Sequence, residues 1–303
     1  MRTQAAEQAV EGVRFTYVNT GEVILHTALA GPEDGPPVIL LHGFPEFWYG
    51  WRHQIPYLAE RGFRVITPDQ RGYNLSDKPG GIAAAETARL AGDVAGLAKA
   101  LGISRFCLAG HDWGAMVAWW TAAAYPDMVE KLAVMDVPHP AVFVRFLKKS
   151  PEQLLRSWYV YLFQVPRLPE RALTARGCAA LRFLLEKSAL PGTFSGEDFA
   201  RYRAAWTRPG SMRAMVNWYR FARRWLFLPV ESLRVAAPTL MIHGKKDLFV
   251  SHRMCEPSLT FCDAETRLEL FETNTHWVQH EKPGRVGGLL AQWFLGAAAK
   301  KSF

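Results

Sequence analysis

Residues 107–120 read CLAGHDWGAMVAWW, and the reading of this stretch decides the fold. A continuous apolar run meets a short turn and then helical text. The turn Gly110-His111-Asp112-Trp113-Gly114 has the Gly-x-x-x-Gly frame of a nucleophile elbow, a sharp strand-to-helix turn that lifts its central side chain above a parallel sheet. That apex is usually serine, and here it is Asp112.

The flanking text supports a sheet around this turn. VRFTYV (13–18) and VILHTALA (23–30) form an opening hairpin. PPVILLHG (36–43), FRVITPD (63–69), FCLAGHD (106–112) and KLAVMDVP (131–138) are apolar throughout rather than alternating, as strands covered on both faces are. Helical patterns fall near 50–61, 85–101 and 114–125. After Pro138 the text becomes helical, aromatic and Arg-rich. Strand text resumes at APTLMIHG (237–244) and TRLELFE (266–272), and a last helix is expected over 284–298. This order predicts an α/β fold: a mostly parallel eight-stranded sheet covered by helices. A core of residues 1–137 and 231–303 is interrupted after the sixth strand by a helical cap, 138–230.

Ligands of such sheets bind beyond the carboxyl ends of the strands. Asp112, Asp247 and His276 each follow a strand there, in the chain order nucleophile, acid, histidine. A lone Asp in a loop is more often a helix cap, but three such residues in this order are hard to explain as caps. Asp136, after the sixth strand, is a reserve acid if Asp247 points away. An aspartate nucleophile suits saturated carbon. Serine attacking there would leave an inert ether. A carboxylate leaves an ester whose carbonyl belongs to the enzyme, and water can attack it. His276 would activate that water and Asp247 would orient the imidazole. The oxyanion of that step needs donors, for which the backbone N–H groups of Trp113 and Phe44 are placed. His42 reads as a catalytic group or, preferably, as a brace for its loop.

Composition bounds the rest. The 303 residues are 49% hydrophobic and 21% charged, the balance of a soluble globular protein. No apolar run reaches transmembrane length and MRTQAAEQAVEG (1–12) lacks a signal core, so a cytoplasmic location is expected. Cys107, Cys178, Cys255 and Cys262 form no CxxC pair, which favours reduced core thiols over a disulfide framework or a metal site. The net charge of +8 is concentrated: residues 138–230 hold 16 Lys+Arg against 5 Asp+Glu. No nucleic-acid motif accompanies that charge, so no nucleic-acid partner is expected. Solvated helix faces, or weak attraction to anionic membranes without stable insertion, account for it.

The motifs together resemble the α/β-hydrolase-fold epoxide hydrolases: HGFPEFWYGWR (42–52), DQRGYNLSDKP (69–79), GHDWGA (110–115), VPHP (137–140), NWYR (217–220), GKKDLFV (244–250) and THWVQHEKP (275–283). The likeness spans nearly the whole chain. It implies cofactor-independent hydrolysis of an epoxide to a vicinal diol. It also implies two cap tyrosines that activate the epoxide oxygen: Tyr219 of NWYR, and Tyr159, four residues before the pair Phe163-Gln164, with Tyr161 as the fallback. Asn74 departs from the family's RGYG, although Asn tolerates positive φ. Phe44, Trp113, Phe163 and Trp218 are expected to line a hydrophobic substrate site. The partners are then a small hydrophobic epoxide and water, for a monomer or homodimer. A haloalkane or haloacid dehalogenase would share the triad, but Phe44 offers no side-chain donor for a halide, and no arginine follows Asp112. A non-catalytic receptor on the same fold is the reading from another class.

Overall fold

The structure, a computed structural model, describes residues 10–227 and 230–296. Most of the N-terminal stretch searched for a signal core, the junction 228–229, and the last two residues of the expected closing helix lie outside the described residues.

The expected strands form one eight-stranded sheet: β1 (Arg14–Asn19), β2 (Ile24–Ala30), β3 (Pro37–Leu41), β4 (Arg64–Pro68), β5 (Phe106–His111), β6 (Val129–Met135), β7 (Thr239–Gly244) and β8 (Thr266–Phe271). The order is β1-β2-β4-β3-β5-β6-β7-β8. β1 with β2 and β2 with β4 are antiparallel, and every other pair is parallel. The continuous apolar runs occupy the middle of the sheet, where β5 and β7 are buried along their whole length. The edge strands β1 and β8 carry exposed positions and mixed text.

Helices clothe this sheet. α1 (Gln54–Ala59) packs on the closing helix (Pro283–Leu295), while α2 (Thr87–Ala100) lies along α3 (Trp113–Ala124), which crosses β3, β5 and β6. The helix expected over 50–61 is split: Trp48–Trp51 is a tight 3₁₀ turn preceding α1. A β-carbon at Gly50 would stand 2.8 Å from the Glu46 carboxylate, so the chain turns there against that side chain.

Among the described residues, six α-helices lie between β6 and β7, followed by short 3₁₀ turns: α4 (Pro140–Lys149), α5 (Pro151–Arg156), α6 (Trp158–Leu162), α7 (Leu168–Ser188), α8 (Gly196–Trp206) and α9 (Ser211–Ala222). Their starts are written in the sequence. Pro140 and Pro151 occupy first-turn positions where a missing N–H costs nothing, and Ser195 with Asp198 forms a capping box for α8. α7 is two helical pieces joined at Ala175–Cys178, where Arg176, Gly177 and Cys178 have positive φ. All four cysteines are free.

Candidate active site

The elbow is built by close backbone approach. Asp112 has φ +51° and ψ −122°, a costly conformation for a residue with a β-carbon. The turn is held because its neighbours are glycine. A β-carbon on Gly43 would sit 2.4 Å from that of Asp112, and one on Gly114 would sit 2.0 Å from the Leu41 carbonyl oxygen. The side chain stands above the ends of β5 and β3. Its Oδ1 accepts the Phe44 N–H at 2.7 Å, and its Oδ2 lies 3.5 Å from His276 Nε2. Trp113 opens α3, so its N–H is among the first-turn amides with no partner inside the helix.

His276 arrives from the loop after β8 and Asp247 from the loop after β7. Asp247 Oδ2 accepts from His276 Nδ1 at 2.7 Å. Its Oδ1 accepts the N–H groups of Phe249 and Val250 at 2.7 and 3.1 Å. Burial alone would push the Asp247 carboxyl up, but the imidazolium of His276 and these amides hold it below its ordinary value. Burial likewise opposes a charged His276. The carboxylates of Asp247 and Asp112 outweigh it and hold the imidazolium well above the usual histidine range. His111 Nε2 donates to the His276 carbonyl at 2.7 Å and fixes the loop from below.

Asp136 does not replace Asp247. It accepts the Gly244 N–H at 2.8 Å and is fully buried. That burial, with the Asp247 charge beside it, pushes its carboxyl well above the ordinary value. Asp136, His243 and Asp247 offer ligand atoms within 4.8 Å of one another, but both Asp247 oxygens are committed to the imidazole and the backbone. His42 is a brace: its Nε2 accepts the Gln70 N–H at 3.0 Å and its Nδ1 donates to the Gly43 carbonyl at 3.0 Å. Asn74 has φ +38°. Its side chain donates to Asp69 at 2.8 Å and accepts from Arg208 at 2.9 Å, tying the loop after β4 to the helices above it.

A cavity of about 420 Å³ stands over Asp112 and His276. Tyr159 from α6 and Tyr219 from α9 both line it, with Phe44 and Phe163 packed edge-on to Tyr219 at ring-centroid distances of 5.2 and 4.9 Å. Burial first, then the Asp112 charge, push both phenols above their ordinary value. The Trp113 ring stands edge-on to the Tyr219 ring, with centroids 5.0 Å apart. Tyr161 is half exposed and is not part of the cavity wall.

Two expected lining residues sit elsewhere. The Trp113 and Trp218 rings are absent from the wall. They pack on each other at 5.5 Å behind Tyr219, with Trp218 also against Tyr73. Trp218 precedes Tyr219 on α9, so about 100° of helical rotation separates them. Only one of the two can face the cavity. Conversely, Leu173, Phe183, Leu184, Leu248, Phe249 and Trp277 do line it. The apolar spacing of 180–184 was the only signal for the α7 members. A larger groove of about 1010 Å³, walled by Arg52, His53, Asp198 and His280, includes neither Asp112 nor the tyrosines.

Known proteins share this arrangement of fold and sequence. A family model described as the alpha/beta hydrolase fold matches residues 36–283. The AB hydrolase superfamily protein YfhM of Bacillus subtilis is 41% identical over 94% of this chain and 99% of its own. Epoxide hydrolase 4 of Mus musculus is 36% identical over 92% of this chain and 76% of its own. Among solved structures, an epoxide hydrolase of Bacillus megaterium in complex with an inhibitor superposes with a TM-score of 0.84 at 30% identity, covering 93% of this chain and all of that one. With identity above three tenths along almost the entire length, the chain belongs to the epoxide hydrolase family of enzymes on the α/β-hydrolase fold.

Proposed function

We propose that this enzyme opens an epoxide through an ester on Asp112 and hydrolyses that ester to a vicinal diol, with no cofactor. One observation carries the reading: an aspartate at the elbow and two phenols, Tyr219 buried and Tyr159 partly buried, line one apolar cavity. Asp112 attacks one epoxide carbon and the carbon–oxygen bond breaks. The departing alkoxide takes a proton from Tyr159 or Tyr219. The Asp112 charge disappears as the ester forms, so His276 loses one of its two anionic partners and releases its proton. That proton, passed through solvent, balances the one the phenol gave up.

Neutral His276 then takes a proton from water, which attacks the ester carbonyl of Asp112. Phe44 N–H, already 2.7 Å from Oδ1, and Trp113 N–H receive the oxyanion. Collapse expels the diol as an alkoxide that His276 protonates, and the Asp112 carboxylic acid left behind passes its proton to His276, restoring the carboxylate and the imidazolium. In this scheme residues 138–230 act as a cap that supplies the phenols, over a core of 1–137 and 231–303. The free cysteines suit a reducing cytoplasm, and no helix among the described residues is long and apolar enough to cross a membrane. Dehalogenation is less well served. The Trp113 ring, which would hold a halide, is not part of the cavity wall.

The test is a single turnover in ¹⁸O-water with a styrene-type epoxide. The label should enter the Asp112 carboxylate, and the glycol should take its new oxygen from the protein. Label in the first-turnover glycol would mean that water opens the ring.

A further inference from the structure

The mouth of the active-site cavity is apolar yet faces solvent. Trp158, Leu162, Phe183 and Leu248 line the cavity while being 63%, 37%, 61% and 55% exposed. Leu155, at 74%, precedes Trp158, and Val165 and Leu168 prolong the strip. Single exposed apolar residues need no explanation, but a contiguous set around one opening marks an interaction surface.

A basic groove of about 550 Å³ adjoins this strip, walled by Arg167, Arg171, Arg213, Arg220 and Arg223. The first turns of α7 separate the two. Ala172 and Leu173 face the cavity, and Arg167, Glu170 and Arg171 face the groove. Glu170, the only acid there, is committed to Arg220 at 2.6 and 3.1 Å. The other four acids of residues 138–230 are paired as Glu152–Arg156, Glu186–Arg182, Glu197–Arg201 and Asp198–Arg52. Among the described residues, no acid lies within ion-pair distance of Arg167, Arg171, Arg213 or Arg223.

We propose that this face docks on anionic phospholipid membranes, so that lipid-dissolved epoxides enter the cavity from the bilayer. The docking half stands by itself, and the delivery half rests on the function proposed above. Charge complementarity selects the partner. The region carries 16 Lys+Arg against 5 Asp+Glu, so two copies would repel through this face, whereas a phosphate-bearing surface attracts it. Arginines reaching headgroup phosphates, beside Trp158 and Tyr161 rings at interface depth and leucines just below, match the layers of a bilayer surface. A lipophilic epoxide concentrates in that bilayer, and the mouth opens within the docking strip.

The experiment is co-sedimentation of the full chain with vesicles of phosphatidylcholine alone, and of phosphatidylcholine with about three tenths phosphatidylglycerol. We expect binding to the anionic vesicles only, weakening as salt rises. Each arginine near such a surface contributes roughly fivefold in affinity, so Arg171→Gln/Arg213→Gln/Arg223→Gln should bind about 100-fold more weakly. Leu155→Ser/Leu168→Ser should also bind more weakly at unchanged charge. Both variants, with melting curves like the parent's, should keep parental turnover of a water-soluble epoxide. Parent protein left in the supernatant, equal binding to neutral vesicles, or arginine variants that bind as the parent does would overturn the proposal. So would a parent dimer that Leu155→Ser/Leu168→Ser splits, with no vesicle binding by either. Vesicle binding by a parent that turns over no epoxide would support docking while removing the function proposed above.

Discussion

Replacing Asp112 by asparagine removes one of the two negative charges beside the His276 imidazolium and keeps the side chain's size. The Asp112 Oδ2 to His276 Nε2 distance is 3.5 Å. At that separation a charge pair is worth about 1.2 kcal/mol in a water-like medium and about 4.7 kcal/mol at an effective dielectric near 20. At about 1.4 kcal/mol per pH unit, the titration midpoint of His276 should fall by roughly one to three units in Asp112→Asn. Asp247 remains at 2.7 Å and limits the fall. The assay is a histidine-labelled NMR titration of both proteins, with His276→Gln to assign the resonance. A midpoint unchanged to within about 0.3 unit would refute the argument that Asp112 holds the proton on His276. The variant matters because a neutral Asn imitates the charge of the alkylated Asp112. The hydrolysis step should therefore gain rate as pH rises through this lower midpoint, not through that of the free enzyme.

His276→Gln should still be alkylated but should fail to clear the ester, so intact mass should rise by one substrate and stay there; an unmodified folded variant after long exposure would contradict this. Tyr159→Phe and Tyr219→Phe should each slow alkylation by roughly 10²–10³, the usual cost of one donor to developing charge, while the half-exposed Tyr161 tolerates the same change; rapid-quench mass spectrometry reads all three. Asp136→Asn should stabilise the fold. The folded carboxyl holds its proton well above the ordinary value, the unfolded one ionises from about pH 4, and so stability drains as pH rises from there toward the folded value. Asn keeps an acceptor for Gly244 N–H, so the gain in melting temperature should widen between about pH 5 and pH 8; equal melting at both would count against it.

The sheet was legible because buried parallel strands are continuously apolar, and the elbow because its two glycines and apex are adjacent in sequence. Asp247 and His276 were found by their places after strands, with no need of the contacts between them. The tyrosines were less accessible. SWYVYLFQ and NWYRFARRW are dense in aromatics, and only the family likeness singled out Tyr159 and Tyr219. Trp218 shows the limit. Aromatic text implies an aromatic cavity, but helical phase decides which ring faces it, and the phase of α9 is set by packing against Tyr73 and Trp113. Leu248 and Phe249 sit on the loop that carries Asp247, where no periodicity marks a lining residue.

The site places one charge where it governs two proton positions. Before reaction, the Asp112 carboxylate holds His276 protonated and helps keep Tyr159 and Tyr219 as phenols. The free enzyme thus has its acids loaded and its base masked, which suits the first step, when an alkoxide needs a proton and no water should be activated. In the mechanism we propose, attack on carbon would convert that carboxylate to a neutral ester. In the same event phenolate would become easier to form, as the alkoxide departs, and imidazolium harder to keep, as the ester needs a base. A serine at the elbow, neutral before reaction, could not produce this reversal. On that proposal the aspartate would supply the order of the two steps as well as the hydrolysable bond, and the apolar wall around it keeps the charge poorly screened enough to act on both partners.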